Sequence, residues 1–199
     1  MPSCLKKSKE LVLEMRTEIR LAGFGGQGLV LAGMVLARAA VMYAGIEAVQ
    51  RQSYGTEARG GASRSEVIIS DQVIDYPGVV SGKNDVLVAM GGAALTRYLK
   101  DVKPGGMVIY DPDLISDVPK DVDAKFYGIR AAATAERLGR RIVANMVMVG
   151  ALTELIGVLP PDAVKKSVTS TVKAGTEDLN LKAIDAGIAE ARSLAEKAA

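Results

Sequence analysis

A three-layer α/β fold with a mostly parallel sheet and a helical C-terminal third is predicted by three features of this 199-residue chain. Short apolar runs alternate with stretches of helical spacing through the first two thirds. Glycine turns separate strand from helix at two places, Gly23–Gly28 and Gly91–Gly92. After about residue 130 the strand-like runs stop and only helical patterns remain.

The first unit organises the rest. Ile19 to Phe24 reads as a buried strand, Gly23, Gly25, Gly26 and Gly28 crowd a tight turn, and Leu29 onward is an aliphatic helix that Gly45 stops. Ile46–Gln52 is a second strand, followed by a polar, glycine-rich loop, Ser53–Arg64. Ser65–Ser70 is a third strand. The Asp71–Gln72 turn and Val73–Ile74 follow, and a hairpin here would leave an edge that is not purely parallel. Val86–Met90 has the continuous apolar character of a buried parallel strand, and a helix is expected from Ala93 to about Lys100. Pro104–Gly105–Gly106 is read as a turn before the strand Met107–Tyr110, and Ala124–Ile129 as the last strand.

The helical third comprises Arg130–Gly139, Ile142–Gly157, a helix opened by Pro160–Pro161–Asp162, and an amphipathic terminal helix, Lys182–Lys197. Ile142–Gly157 is apolar on nearly every face, so it is buried in its own core or against a partner. Its one amide, Asn145, is satisfied either by backbone in that core or by a ligand or neighbouring subunit. Residues 1–17 form a separate N-terminal extension, either a frayed tail or a docking segment, and residues 18–199 form one domain.

Composition excludes several function classes. Net charge is +2, from 25 basic and 23 acidic residues, which leaves no basic face for nucleic acid. The N-terminus has no run resembling a signal peptide, and no segment approaches the ~20 apolar residues that span a bilayer. With one cysteine and no histidine, the chain makes no internal disulfide, which suits a reducing cytoplasm. It can assemble neither a zinc site nor an iron–sulfur cluster, and it has no Ser–His or Cys–His nucleophile. No catalytic residue and no metal ligand is therefore expected in this chain. Redox or acyl chemistry would belong to a cofactor or to another chain.

Two stretches remain as candidate binding elements. The turn Gly25, Gly26, Gln27, Gly28 precedes a helix, where unpaired backbone N–H groups attract anions and phosphates. Gly23, Gly25 and Gly28 have dinucleotide-turn spacing, but the second strand ends in Gln50, Arg51 and Gln52, without the ribose-binding acid. An NADP-type site using Arg51, and a purely structural turn against a partner, both stay open. No Gly-Lys-Ser/Thr follows, so the ATP-binding loop is excluded. The second element is the loop with Arg59 and Arg64, whose guanidinium groups could meet phosphates or carboxylates near the carboxyl ends of the strands, or simply pair with Glu57, Glu66 or a neighbouring subunit. Asp111 and Asp113, flanking Pro112, read as turn and capping residues.

Several separated motifs resemble one family. GFGGQG at 23–28, Leu36-Ala37-Arg38-Ala39-Ala40, QSYGTEARGGAS at 52–63 and NMVMVGAL at 145–152 are similar to the gamma subunit of 2-oxoacid:ferredoxin oxidoreductases. The resemblance runs from about residue 18 to about residue 180. The form of the second-loop motif looks most like the 2-oxoglutarate branch, with Thr56 where relatives often carry Pro. What the resemblance implies is a Rossmann-like domain in a complex that turns a 2-oxoacid, coenzyme A and oxidised ferredoxin into an acyl-coenzyme A, carbon dioxide and reduced ferredoxin. It further implies alpha and beta partners that bind thiamine diphosphate and Mg, iron–sulfur clusters in the beta or a ferredoxin-like delta partner, and a gamma domain associated with coenzyme A. On that basis Gly25, Gly26, Gln27 and Gly28, with Arg59 or Arg64, are expected at coenzyme A phosphates. Contact of the same segments with the alpha subunit is the competing role. A stand-alone NAD(P)-binding oxidoreductase and a scaffold without a ligand are the alternatives.

Overall fold

The computed structural model describes residues 15–54, 61–79 and 81–198. The polar loop's Arg59 and Thr56, and most of the N-terminal extension, lie outside the described residues. Six strands form one sheet in the order β2-β3-β1-β4-β5-β6, with β1 Arg16–Phe24, β2 Glu47–Tyr54, β3 Ala62–Ser70, β4 Asn84–Ala89, β5 Val102–Tyr110 and β6 Ala124–Gly128. The pairs β1–β4, β4–β5 and β5–β6 are parallel, while β3 runs antiparallel to both β1 and β2. The expected departure from a parallel sheet is therefore β3 itself, inserted between β1 and β2. Val73–Ile74 forms no strand, and Val73 is exposed.

Side chains alternate across the strands, so the sheet has two dissimilar faces. On the first, Ile19, Leu21, Val67, Ile69, Val86, Val88 and Ile109 join one aliphatic core. The helices in that core are α1 Leu29–Arg38, α3 Ala131–Arg137, α4 Ala144–Ile156, α5 Pro161–Thr171 and α6 Glu177–Ala198. On the second face, Ala22, Leu87, Ala89 and Val108 pack against α2 Gly92–Tyr98 and Leu99.

Three local departures have physical causes. The Pro104–Gly105–Gly106 turn lies inside β5, not before it. Asn84 pairs with Val102 and Val86 with Met107, so β5 carries three extra residues there as a bulge, with Gly105 at φ +70°. The end of α1 widens into a π-helix over Ala39–Ala44, and Gly45 closes it at φ +69°. α6 begins at Glu177, five residues before the expected Lys182, because Thr176 and two acids open it.

The apolar helix α4 is buried in the chain's own core. Ala144 to Thr153 are all buried, and α6 crosses α4 at very short range. A β-carbon at Gly150 would lie 2.1 Å from the Ile184 carbonyl oxygen, and one at Gly187 would lie 2.0 Å from that of Val147. Only glycine fits either position.

Candidate functional site

The glycine turn joins the end of β1 to α1 at the carboxyl edge of the sheet, where open α/β sheets bind ligands. Gly26 and Gly28 take φ of +92° and +71°, conformations that cost a β-carbon-bearing residue strain. The turn is pinned on three sides. Gly25 N–H donates to Gly61 O at 2.8 Å. Gln27 Oε1 accepts from Phe24 N–H at 2.7 Å, and its Nε2 donates to Met90 O at 2.7 Å. Asn145 Nδ2 donates to Gly28 O at 3.0 Å while its Oδ1 accepts from Met146 N–H. Asn145 is thus satisfied within the core, and its amide holds the turn from the α4 side. The side chain of Gln27 ties the turn to Met90, just past the end of β4, so it is a fixture of the turn.

This fixed turn presents a helix start. The first backbone bond of α1 is Ala32 N–H to Gly28 O at 3.0 Å, so the N–H groups of Leu29, Val30 and Leu31 precede the helical ladder. No side chain caps Gly28, and no acid occupies the first turn of α1. The partial positive charge of the helix end is therefore left for an anion.

Two cavities open on either side of it, and both include Gly26 and Ile142 in their walls. The first, about 550 Å³, lies beside Gln27, Phe24, Met90 and Leu114, with Arg141 as its one cation among the described residues. The second, about 450 Å³, lies between Gly28, Asn145 and the α5–α6 connection, with Arg140 and Lys173 in its wall. Consecutive arginines thus serve opposite cavities. Neither they nor Lys173 was singled out from sequence, although the Arg140–Arg141 pair follows Gly139 at a helix junction.

Asp111 braces the first cavity. Its Oδ2 accepts from Ala132 N–H at 2.7 Å, at the start of α3, and its Oδ1 accepts from Asp113 N–H at 2.9 Å. The turn-and-cap reading of this carboxylate therefore holds. Burial holds its pKa above the usual carboxylate value against those two hydrogen bonds, with the neighbouring Asp113 charge adding to the rise.

The structure does not bring Arg64 to the turn. Arg64 pairs with Ala22 across the β1–β3 ladder and points to the second face. There its guanidinium carbon is 5.8 Å from the Tyr98 ring centre and its Nε 3.6 Å from Glu66 Oε1. It lines neither cavity.

The topology also disfavours the dinucleotide reading. A ribose-binding acid belongs on the strand adjacent to β1 and parallel to it after the first helix. Here β3 separates β2 from β1, and Gln50, which falls in the middle of β2 and not at its end, serves α1 instead. Gln50 Nε2 donates to Val30 O at 2.9 Å and to Ser65 Oγ at 3.0 Å. Among the described residues no cluster of His, Cys, Asp and Glu could hold a metal, and no helix is long and apolar enough to cross a membrane.

The chain is 52% identical over 182 residues to 2-oxoglutarate synthase subunit KorC of Methanothermobacter thermautotrophicus, a match covering 88% of this chain and 95% of that protein. The fold superposes on the gamma subunit of a keto/oxoacid ferredoxin oxidoreductase from Geobacter sulfurreducens with a TM-score of 0.79 and 43% identity, covering 89% of this chain and 99% of that one. It also superposes, with a TM-score of 0.78 and 27% identity, on a 2-oxoglutarate:ferredoxin oxidoreductase from Magnetococcus marinus with 2-oxoglutarate, coenzyme A and succinyl-CoA bound. That alignment covers 89% of this chain and 31% of the longer chain. Residues 18–190 match the pyruvate ferredoxin/flavodoxin oxidoreductase family, and the chain belongs to it.

Proposed function

We propose that this chain is the gamma subunit of a 2-oxoglutarate:ferredoxin oxidoreductase, and that its glycine turn receives the phosphates of coenzyme A during formation of succinyl-CoA. One observation carries the site: an uncapped helix start, held rigid by Gln27 and Asn145, lies between two cavities whose walls supply three cations. An anionic group with an arm on each side fits that arrangement. The pyrophosphate of coenzyme A, between a nucleotide and a pantetheine arm, is such a group.

The chain's own work in this reading is binding and orientation. The N–H groups of α1 face the phosphates, and the fixed turn makes that geometry available without reorganisation. A chain with one cysteine and no histidine does not fit an iron–sulfur cluster. The clusters, and thiamine diphosphate with its magnesium, are therefore assigned to alpha, beta and delta-type partners, with ferredoxin meeting the complex through them. Arg59, outside the described residues, is proposed to reach the phosphates from its loop. Arg64 is better placed to meet a partner chain, since its side chain lies on the opposite face.

The test is a pair of substitutions at Gly26, where a β-carbon would meet nothing within 4 Å. Gly26→Asn and Gly26→Asp share shape and backbone strain and differ in charge. In the assembled enzyme Gly26→Asp is expected to raise the KM for coenzyme A at least about tenfold more than Gly26→Asn, with kcat little changed. Equal effects of the two variants would remove the phosphate from the turn. Arg59→Ala is expected to raise the coenzyme A requirement, whereas weakened assembly would assign that arginine to subunit contact.

A further inference from the structure

From Leu29 to Ala44 the chain runs as one helix, α1 followed by its π-helical end, and Arg38 is the only charged residue in that stretch. Such a run suits a helix enclosed on all sides. This one is enclosed on one side only. Ala32, Val35, Leu36, Ala39 and Ala40 are buried in the first-face core. On the opposite arc Met34 is 39% exposed, Val41 49% and Met42 65%. Val30 and Ala37, on the same arc, are half-buried. With Tyr43, four of the nine large apolar side chains exposed among the described residues fall between positions 34 and 43. A contiguous exposed apolar face of this kind marks a contact surface.

The exposure is not that of a loose end. Three side chains from three elements donate to carbonyls of this helix and its cap: Asn145 Nδ2 to Gly28 O, Gln50 Nε2 to Val30 O, and Ser167 Oγ to Val35 O at 2.7 Å. At the other end Tyr43 Oη donates to Ser170 Oγ at 3.1 Å. The face is rigid before anything meets it, which lowers the cost of binding.

Arg38 identifies what meets it. Half-buried in the middle of the face, it has neither an ion pair nor a hydrogen bond among the described residues. No acid stands on the helix to answer it. A second copy of the chain would set this acid-free helix against itself around a twofold axis. A different chain, apolar with a carboxylate at the centre, is complementary. In the Magnetococcus marinus protein the equivalent fold is 31% of a longer chain, so there it is held permanently beside further structure. As a separate chain, the domain reaches such a neighbour only by non-covalent contact.

We propose that the outward face of α1 and its π-helical end docks this chain on the partner subunit equivalent to the rest of that longer chain. Arg38 pairs there with a carboxylate of the partner, enclosed by Met34, Val41 and Met42. Methionines adapt to an apolar surface, and excluding water strengthens the charged hydrogen bond at their centre. This rests on the subunit role proposed above and is independent of coenzyme A.

Met34 and Met42 serve as reporters, since peroxide converts accessible methionine to the sulfoxide. Mass spectrometry follows both in the isolated chain at low concentration and in the enzyme assembled from its subunits. Both are expected to react in the isolated chain and to lose that reactivity in the complex. Val41→Lys combined with Met42→Lys, a change at two exposed side chains, is expected to weaken association about a hundredfold. The unfolding midpoint of the isolated double variant is expected to stay at the wild-type value. Arg38→Glu is expected to weaken association about thirtyfold, and Arg38→Lys much less. Methionines equally reactive in both forms, or association unchanged by the lysine pair, would overturn the docking face. Protection in the isolated chain would overturn it too. If deleting residues 1–14 abolishes that protection, the chain's own N-terminus is the occupant; if dilution abolishes it, a second copy is. The Gly26 variants read the KM for coenzyme A in a complex that still forms, so either proposal can fail without the other.

Discussion

On one face of the sheet, five helices close an aliphatic core in which Ile19, Leu21, Val88 and Ile109 are wholly or almost wholly buried. On the other, α2 is the one described α-helix, joined by Leu99 and Ile115 from the segments that follow, and β1 and β3 bury charge there. Arg20 (4% exposed) donates from Nε to Glu66 Oε1 at 2.9 Å and from Nη1 to Asp101 Oδ2, and Ser81 Oγ–H also donates to Asp101. The Arg20 guanidinium carbon lies 5.0 Å from the centre of the Tyr98 ring. The first face gains stability from apolar area, which single substitutions erode gradually. The second depends on each charge having its partner, so losing one member strands the others. The second cavity sits on the area-rich side, beside α4 and α6, while the first reaches round the sheet edge to the start of α2.

This contrast can be broken most severely at Arg20. Arg20→Leu leaves the buried Asp101 without its hydrogen-bonded cation and Glu66 with its longer contact to Arg64, and is expected to lower stability by about 3 kcal/mol in urea denaturation. Replacing Arg20, Glu66 and Asp101 together by apolar residues is expected to recover most of that loss. A triple variant no more stable than the single one would show that charge pairing is not what holds this face.

Next in size is a probe of the first face. Gly187→Val pushes a side chain into the Val147 carbonyl and is expected to cost about 2–3 kcal/mol by prising α6 from α4. Little change in the unfolding midpoint would mean that the helices slide apart freely. Gln27→Leu removes the two bonds that tie the turn to β1 and β4. A loss of about 1–2 kcal/mol is expected, with a raised KM for coenzyme A measured on the same preparation.

The smallest effect is a difference in sign between two carboxylates. Burial would raise the pKa of Asp101, but hydrogen bonds from Ser81 and Arg20 and the Arg20 charge outweigh it and hold the pKa below 3.8. Its stabilisation is present above the unfolded value and is lost as pH falls through the depressed folded one. Asp111, raised above 3.8 mainly by burial, behaves oppositely. Its contribution is complete below the unfolded pKa and is lost as pH rises through the folded one. Asp101→Asn is therefore expected to flatten the acid limb of the stability profile. Asp111→Asn is expected to flatten a decline that begins above pH 3.8. Parallel profiles for the two variants would contradict the assignment.

Much of the local structure was legible because it depends on neighbours in the chain. The strand–glycine–helix unit at 16–38, the buried α4 and the proline-started α5 follow from period, punctuation and apolarity. The anion-ready turn was visible for the same reason. The function of Gln27 was not, since Met90 is 63 positions away. Likewise Arg64 looked like a partner for the turn because it is near in the loop, yet strand alternation turned it to the other face.

The sequence alone determined the strand and helix inventory, the aliphatic core and the lack of cluster ligands, because these depend on local period and on composition. Tertiary structure decided that β3 lies between β1 and β2, that Asn145 and Gln27 grip one turn from opposite sides, and that Arg140, Lys173 and Asn180 share a cavity. Those facts join residues remote in the chain, and only the packing of helices on a completed sheet brings them within reach of one another.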